Sequence, residues 1–431
     1  MQTEMKRPSQ NPQMSARQAQ TPHRAKRSVE QLSENKTVRK KNAHPSGDPV
    51  KASDVVRVRG GVDRPMLVII VFLLCFGSVM VFSASYAYAL QKYGDSYYYI
   101  KRQLLFLAIG ALAMIFTVRL LDYRLIKKFT IPFFLFCTVL LIITPIAGAA
   151  RGVARRWLII GSLRFQPSEL MKLALILLLA WYFSKYQKFV LNYRDFRQSS
   201  IYGDLIPIMI VGFVCVLIAL ENHFSCMIIM FLIGMIVIFS AGARKFWFAV
   251  AGGGAAILAG IAISFSSYAR ERVDVWLHPE NYSALDETWQ TLQGLYAIGS
   301  GGWFGVGLGN SRQKHLFVSE PQNDFIFSII CEELGYIGAL AVVALFLAFV
   351  WRGVVIAMKV PDTYTKLVVI GIVGQIAVQA FLNIAVVTAL IPNTGIALPF
   401  FSYGGTSLVM LMAEVGVLLS ISRYSYEQKQ Q

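Results

Sequence analysis

Asp324 stands where a stretch of glycines and scattered charges, Gly294 to Gly335, runs directly into an apolar segment. Holding an ionisable group at the lip of a membrane span is costly, and such groups usually mark a substrate or ion path. An aspartate just ahead of a helix can simply cap it, accepting amide hydrogens. The same carboxylate, with Arg312, Lys314 and Glu320 close by in sequence, could instead bind a divalent metal or orient a hydroxyl acceptor. Both readings stand on the residues alone.

A second constellation is cationic. The segment GAARGVARRWLIIGSLRFQPSELMK carries Arg151, Arg155, Arg156 and Arg164 with no acid before Glu169. Guanidinium groups grip phosphate oxygens in a fork, more strongly where water is partly excluded. Attraction to anionic lipid headgroups is the plainer account, and Trp157 with the Gln166-Pro167-Ser168-Glu169 run favours a shaped site. Glu169 and Lys172, three apart on one helix, can pair and so enter the membrane at reduced cost.

Glu332, Glu333 and Glu414 fall inside apolar runs and must face protein, water or one another, an arrangement that could also carry protons. Gln375, Gln379 and Asn383 repeat every four residues, a polar stripe suited to hydrogen bonds between helices. Pro392 to Gly405 is uncharged and rich in Pro and Gly, as in a re-entrant segment that protein must shield. The glycines from Gly299 to Gly309 allow tight turns and close backbone approach, but the run lacks the Gly-Lys-Ser/Thr ending of a nucleotide loop.

The elements that position these groups follow from composition. Of 431 residues 55% are apolar and only 15% charged, and the mean hydropathy of +0.53 points to lipid as the main solvent. The five cysteines all lie inside apolar runs, where they act as small core residues. The +17 net charge is spread over a tail and short loops and forms no basic patch with interleaved aromatics, so nucleic acid is not an expected partner.

Residues 1–64 cannot bury enough apolar surface to fold and read as a disordered, basic cytoplasmic tail. Apolar runs follow at about 65–88, 103–120, 129–147, 168–185, 204–221, 223–241, 246–266, 325–350, 365–388 and 402–422, each long enough to cross about 30 Å of hydrocarbon. The expected fold is therefore an all-α integral membrane protein of about ten transmembrane helices, spanning 65–422, with a short tail at 423–431. Lys and Arg collect in alternate loops, which predicts that both termini are cytoplasmic and that a long loop, 267–323, lies outside. The arginine segment breaks that charge rule and also falls on the outer side.

Four blocks, ARRWLIIGSLRFQPSELMK (154–172), WQTLQGLYAIGSGGWFGVGLG (289–309), EPQNDFIFSIICEELG (320–335) and PNTGIALPFFSYGGTS (392–407), resemble those of the SEDS proteins, the FtsW, RodA and SpoVE type. The long basic tail and SASYAYAL (83–90) are closer to the division and sporulation branch than to elongation. The resemblance implies a GT-C-like fold and a peptidoglycan glycosyltransferase that joins lipid II into a nascent glycan strand on the outer face of the cytoplasmic membrane. It implies a divalent metal, Mg or Mn, a class B penicillin-binding protein as transpeptidase partner, divisome proteins at the septum, and contact with membrane lipid.

It also makes Asp324 the catalytic residue and possible metal ligand. Arg155, Arg156, Trp157, Arg164, Gln166, Ser168, Glu169, Lys172, Gln290, Gln293, Lys314 and Glu320 become substrate-binding or scaffold positions. Asn222 to Cys226 depart from the family's usual Pro-Asp-x-Gly-Thr run, Ser319 stands where a proline is usual, and Asn323 replaces a threonine, so no role is carried onto 222–226. A lipid II flippase using Glu332, Glu333 and Glu414 as a proton relay is the rival reading.

Overall fold

The computed structural model describes residues 55–56, 60–151, 154–160, 163–192, 195–265, 267–282, 288–360, 362–425 and 428–429. Most of the expected tail, 1–54, lies outside them, and the fold below concerns the unit Arg57–Gln428.

Helix α1 (Arg64–Tyr93) opens on Asp63, whose carboxylate accepts the Met66 amide at 3.0 Å, with Pro65 in the first turn, and it stops at Gly94 in a left-handed conformation. Then come α2 (Tyr98–Leu120) and α3 (Tyr123–Ala147), the latter capped by Asp122. Helix α4 (Pro167–Val190) again begins on proline. Short α5 (Phe196–Ser200) continues through a π-helical turn at Ile201–Leu205 into α6 (Ile206–Leu220). After Glu221, Asn222 and His223 the chain re-enters as α7 (Phe224–Ser240), so the polar triplet does divide the run at 204–241. Next are α8 (Lys245–Phe265), α9 (Ser267–Leu277), α10 (Trp289–Gly301), α11 (Ile326–Lys359), α12 (Thr363–Val387) and α13 (Thr406–Ser422).

Every apolar run read from the sequence coincides with a helix. Among the described residues, seven helices are long and apolar enough to cross a membrane, and α7 and α13 are shorter apolar helices. Helices α4, α7 and α12 pack together at the centre, flanked by α11 against α1 and by α13 against α2.

Two expectations need correction. The protein is mostly but not wholly helical: β1 (Ala149–Arg151), β2 (Ala154–Ile160) and β3 (Leu163–Phe165) form a small antiparallel sheet that pairs Ile159 with Arg164. Its segments are too short and too basic to read as a span, and helical bias hid their strand character. The expected long loop, 267–323, contains two helices, α9 and α10, and α10 packs against α11 with Gln293, Gly294 and Ala297 buried.

The glycine run does structural work. Helix α11 breaks at Gly335, whose φ of 66° and ψ of −164° only glycine adopts readily. Backbone groups exposed by the break are met by the preceding loop: Val306 and Gly307 amides donate to the Glu332 and Glu333 carbonyls at 2.9 and 3.0 Å. In return, Tyr336 and Ile337 amides donate to Gly302 and Trp303 carbonyls at 2.9 and 3.2 Å. A broken helix within an apolar bundle survives when protein satisfies it in this way. The run is a backbone seam, not a phosphate cradle.

Candidate active site

The small sheet delivers the first side chains. Strand β2 carries Arg156 and Trp157 to the rim of a cavity of about 530 Å³, and α4 supplies Gln166, Glu169 and Lys172. The opposite wall comes from Gln290 on α10 and from the 319–324 segment that leads into α11, including Glu320 and Asp324. Pro392–Gly405 closes the third side, presenting Gly395 to Phe400 and Ser402 to Gly404. The volume suits one small-molecule headgroup, since ligand pockets run to about 300–1,000 Å³.

Helix α11 takes Phe325 as its N-cap residue, one position after Asp324. The Asp324 carbonyl accepts Asn383 Nδ2 at 2.7 Å, and the same amide group donates to the Ile396 carbonyl at 2.6 Å. One side chain from the α12 stripe thus ties two walls together. The carboxylate lies against Gly395, where an added Cβ would come within 3.2 Å of Oδ2. Ser402 Oγ donates to the Asn323 carbonyl at 2.6 Å, and the Tyr403 amide donates to the Gln322 carbonyl at 2.8 Å. The expected shielding of this uncharged segment is met: Ile396, Leu398, Phe400 and Phe401 are buried.

Buried charge lies beneath. Lys172 donates to Glu169 at 2.9 Å while only 3% of its side chain is exposed, and Gln375 donates to Glu414 at 2.6 Å. Lys172, Glu169 and Glu414 line the cavity floor, each hydrogen-bonded to a neighbour as buried polar groups require. At the rim, Arg156 donates to the Asn222 carbonyl. Burial pushes the neighbouring Glu221 up to about 8, with Arg156 opposing. Burial, then Arg156 and Lys172, brings His223 down to about 3, so its imidazole is neutral. Gln166 Nε2 lies 3.2 Å from His223 Nδ1, and an amide donor there leaves the proton on Nε2. Strained backbone gathers at the same place, with positive φ at Asn222, Glu320 and Phe400.

Of the expected site residues, Asp324, Arg156, Trp157, Gln166, Glu169, Lys172, Gln290 and Glu320 meet at this cavity. Arg155 belongs to β2, but its side chain lies outside the described residues. Arg164 is exposed on β3, where its carbonyl accepts Thr406 Oγ1 at 3.0 Å. Ser168 is fully buried and accepts Gln166 Nε2 at 2.9 Å, and Gln293 is buried one turn from Gln290. These positions support the lining rather than form it.

Lys314 is placed elsewhere altogether. It is fully buried in an ion pair with Glu333 at 2.6 Å, and Ser83 Oγ donates to the same carboxylate at 2.5 Å. Glu332 accepts Ser311 Oγ and, at 2.8 Å, the Arg312 amide. The two glutamates therefore hold the turn after the glycine seam. A relay through Glu332, Glu333 and Glu414 does not match that arrangement, since Glu414 belongs to the cavity floor.

Sequence reasoning passed over His223, Ser225 and Cys226, all of which line the cavity. Their departure from the family pattern hid them, and their position next to a helix start was the available signal. Gln379, read from the sequence as part of an interhelical polar stripe, and Glu414, read as part of a proton path, also line it.

The comparisons agree with this architecture. The family model FTSW_RODA_SPOVE, described as "Cell cycle protein", matches residues 64–427. The chain is 41% identical over 367 residues to "Stage V sporulation protein E" of Bacillus subtilis, covering 84% of this chain and 97% of that one. It is 37% identical over 368 residues to "Probable peptidoglycan glycosyltransferase FtsW" of a Geobacter species, with the same shares covered. Among solved structures, a chain of a peptidoglycan synthase complex that coordinates polymerization and crosslinking superposes with a TM-score of 0.70 at 24% identity, covering 85% of this chain and 98% of that one. The rod shape determining protein RodA of Thermus thermophilus superposes with a TM-score of 0.62 at 24% identity, with the same shares covered. With its motifs, its bundle and its matched length in accord, the chain belongs to the FtsW/RodA/SpoVE family of SEDS proteins.

Proposed function

We propose that the protein polymerises lipid II by glycosyl transfer at this cavity, on the outer face of the cytoplasmic membrane. The observation that carries the reading is the meeting of Asp324 with Arg156 and Lys172 in one headgroup-sized space. The 4-hydroxyl of an acceptor sugar attacks the anomeric carbon of the donor. A new glycosidic C–O bond forms, the bond to undecaprenyl pyrophosphate breaks, and the hydroxyl proton passes to Asp324. Arg156 and the Lys172 charge below it stabilise the negative charge that grows on the departing pyrophosphate.

Asp324 and Glu320 line the same cavity, and among the described residues no group of three or more His, Cys, Asp or Glu is arranged to hold an ion. That donor set fits Mg or Mn, hard cations that take one or two carboxylates and complete their shell with phosphate oxygens and water. Asp324, with Glu320, would hold such an ion, which would supply positive charge to the pyrophosphate.

The fuller reading has ten membrane crossings, both termini cytoplasmic, a class B penicillin-binding protein as transpeptidase, divisome proteins as neighbours and the division septum as the site of action. The named relatives and the alternation of basic loops support it. Purified protein, free of other polymerases, should form long glycan from lipid II in detergent, and Asp324→Ala should abolish this with the fold intact. Normal polymer from that variant would overturn the assignment, and wild-type protein that makes none in detergent would return the flippase reading.

A further inference from the structure

One feature of the sequence has no part in the chemistry above: the tyrosines of YAYALQKYGDSYYYIKR, at the junction of α1 and α2. Tyr93 and Tyr98 stack with centroids 3.8 Å apart and planes 11° apart. Tyr98 meets Tyr99 edge-on at 5.3 Å, and Tyr99 meets Tyr403 edge-on at 4.9 Å. Tyr403 is itself part of the cavity wall. Ring contacts thus run from the cavity through buried Tyr99 to the surface, where Tyr93 is 43% exposed; Tyr97, next in sequence to Tyr98, is 56% exposed and stacks on Phe82.

Cations accompany the track. Arg102 sits 4.4 Å over the Tyr98 ring, and Lys101, with 68% of its side chain exposed, lies beside Tyr97 while paired to Asp95. A lysine ammonium has three donors, so that pair leaves capacity for a ligand carboxylate.

Building on the proposed polymerase reading, we propose that this aromatic track binds the polymer: a β-linked N-acetylhexosamine strand bearing carboxylates. At about 530 Å³ the cavity suits one headgroup and not a strand, so a product that stays attached must cross a surface next to it. Flat rings with an apolar face and a polar edge suit the alternating CH and OH faces of sugars, and they bind with little loss of side-chain freedom. Lys101 and Arg102 match the carboxylates of such a strand. Continuity with the cavity through Tyr403 distinguishes this surface from the other exposed aromatic residues of the bundle.

The test uses the full chain in detergent and two soluble probes, an N-acetylhexosamine oligomer carrying lactyl carboxylates and the neutral oligomer of equal length. The Tyr93→Ala, Tyr97→Ala double variant changes two exposed rings and should weaken both probes by about tenfold. Lys101→Gln should weaken the acidic probe alone, by about threefold. In the polymer assay the double variant should release shorter strands. Equal probe binding by wild type and double variant overturns the proposal. So does a double variant that loses only its association with anionic vesicles or with the transpeptidase, which would assign the rings to lipid or to a protein partner. Probe binding does not require turnover, so wild-type protein that binds the oligomer yet makes no polymer would refute the enzymatic reading and not this one.

Discussion

Replacing Gly335 by alanine tests the seam that holds one wall of the site. At φ 66° and ψ −164° a side chain is strained by about 1–3 kcal/mol. The new Cβ would also stand 2.4 Å from the Gly305 nitrogen and 2.6 Å from the Trp303 carbonyl carbon and oxygen. These are backbone atoms on a segment fixed by its own bonds, so no side chain can swing aside. Relief requires parting the strands of the seam, whose four hydrogen bonds contribute about 0.5–1.5 kcal/mol each. Losing half of them in addition to the strain gives a destabilisation on the order of 2–6 kcal/mol. Gly299→Ala is the matched control: it lies in α10 with nothing within 4 Å of an added Cβ, and it should be neutral or stabilising by up to about 1 kcal/mol. Thermal unfolding of both purified variants, followed by tryptophan fluorescence, decides the matter. Equal midpoints for Gly335→Ala and Gly299→Ala would refute the seam as a structural necessity.

Gly77→Ala places a Cβ 2.2 Å from the Phe400 carbonyl oxygen, so it should cost about 1–3 kcal/mol and lower polymerisation more than Tm, by displacing the cavity wall. Lys314→Met strands the Glu333 carboxylate in the core and should destabilise by about 3–5 kcal/mol, whereas adding Glu333→Gln should recover much of the loss in the same melting assay. Glu221 rises from 4.5 to about 8 on folding, so the native state binds the extra proton between those values and its stability falls as pH rises through that window. Glu221→Gln should therefore match wild type near pH 4.5 and exceed it most at pH 8; an equal Tm difference at both would exclude the titration.

Asp324, Arg156, Glu169 and Lys172 were legible because charge against an apolar background is expensive and so stands out. The helices were legible for the same reason, as each long apolar run has one low-cost conformation in lipid. Lys314 and Glu333 were not, because their pairing closes a loop that no local periodicity reveals. The glycine run was read as allowing tight turns and close backbone approach, and the partner of its backbone proved to be another backbone at a helix break. The Gln375 and Asn383 stripe was read correctly as glue, but that one amide would brace both Asp324 and the 396 carbonyl depends on how α12 is rotated. Strands β1 to β3 were missed, since three short arginine-bearing segments carry too little pattern to compete with a neighbouring span.

The third wall of the cavity, Gly395 to Gly404, presents glycine, alanine and proline between larger residues whose bulk points into the core. Its contour is consequently drawn by main chain. An inhibitor that hydrogen-bonds those peptide groups would touch features that point mutation cannot delete, and the close packing of Gly77 on Phe400 and Asp324 on Gly395 leaves few substitutions able to reshape them from behind. Resistance would have to arise on the rim, at Trp157, Gln290 or Tyr403, where side chains set the outline.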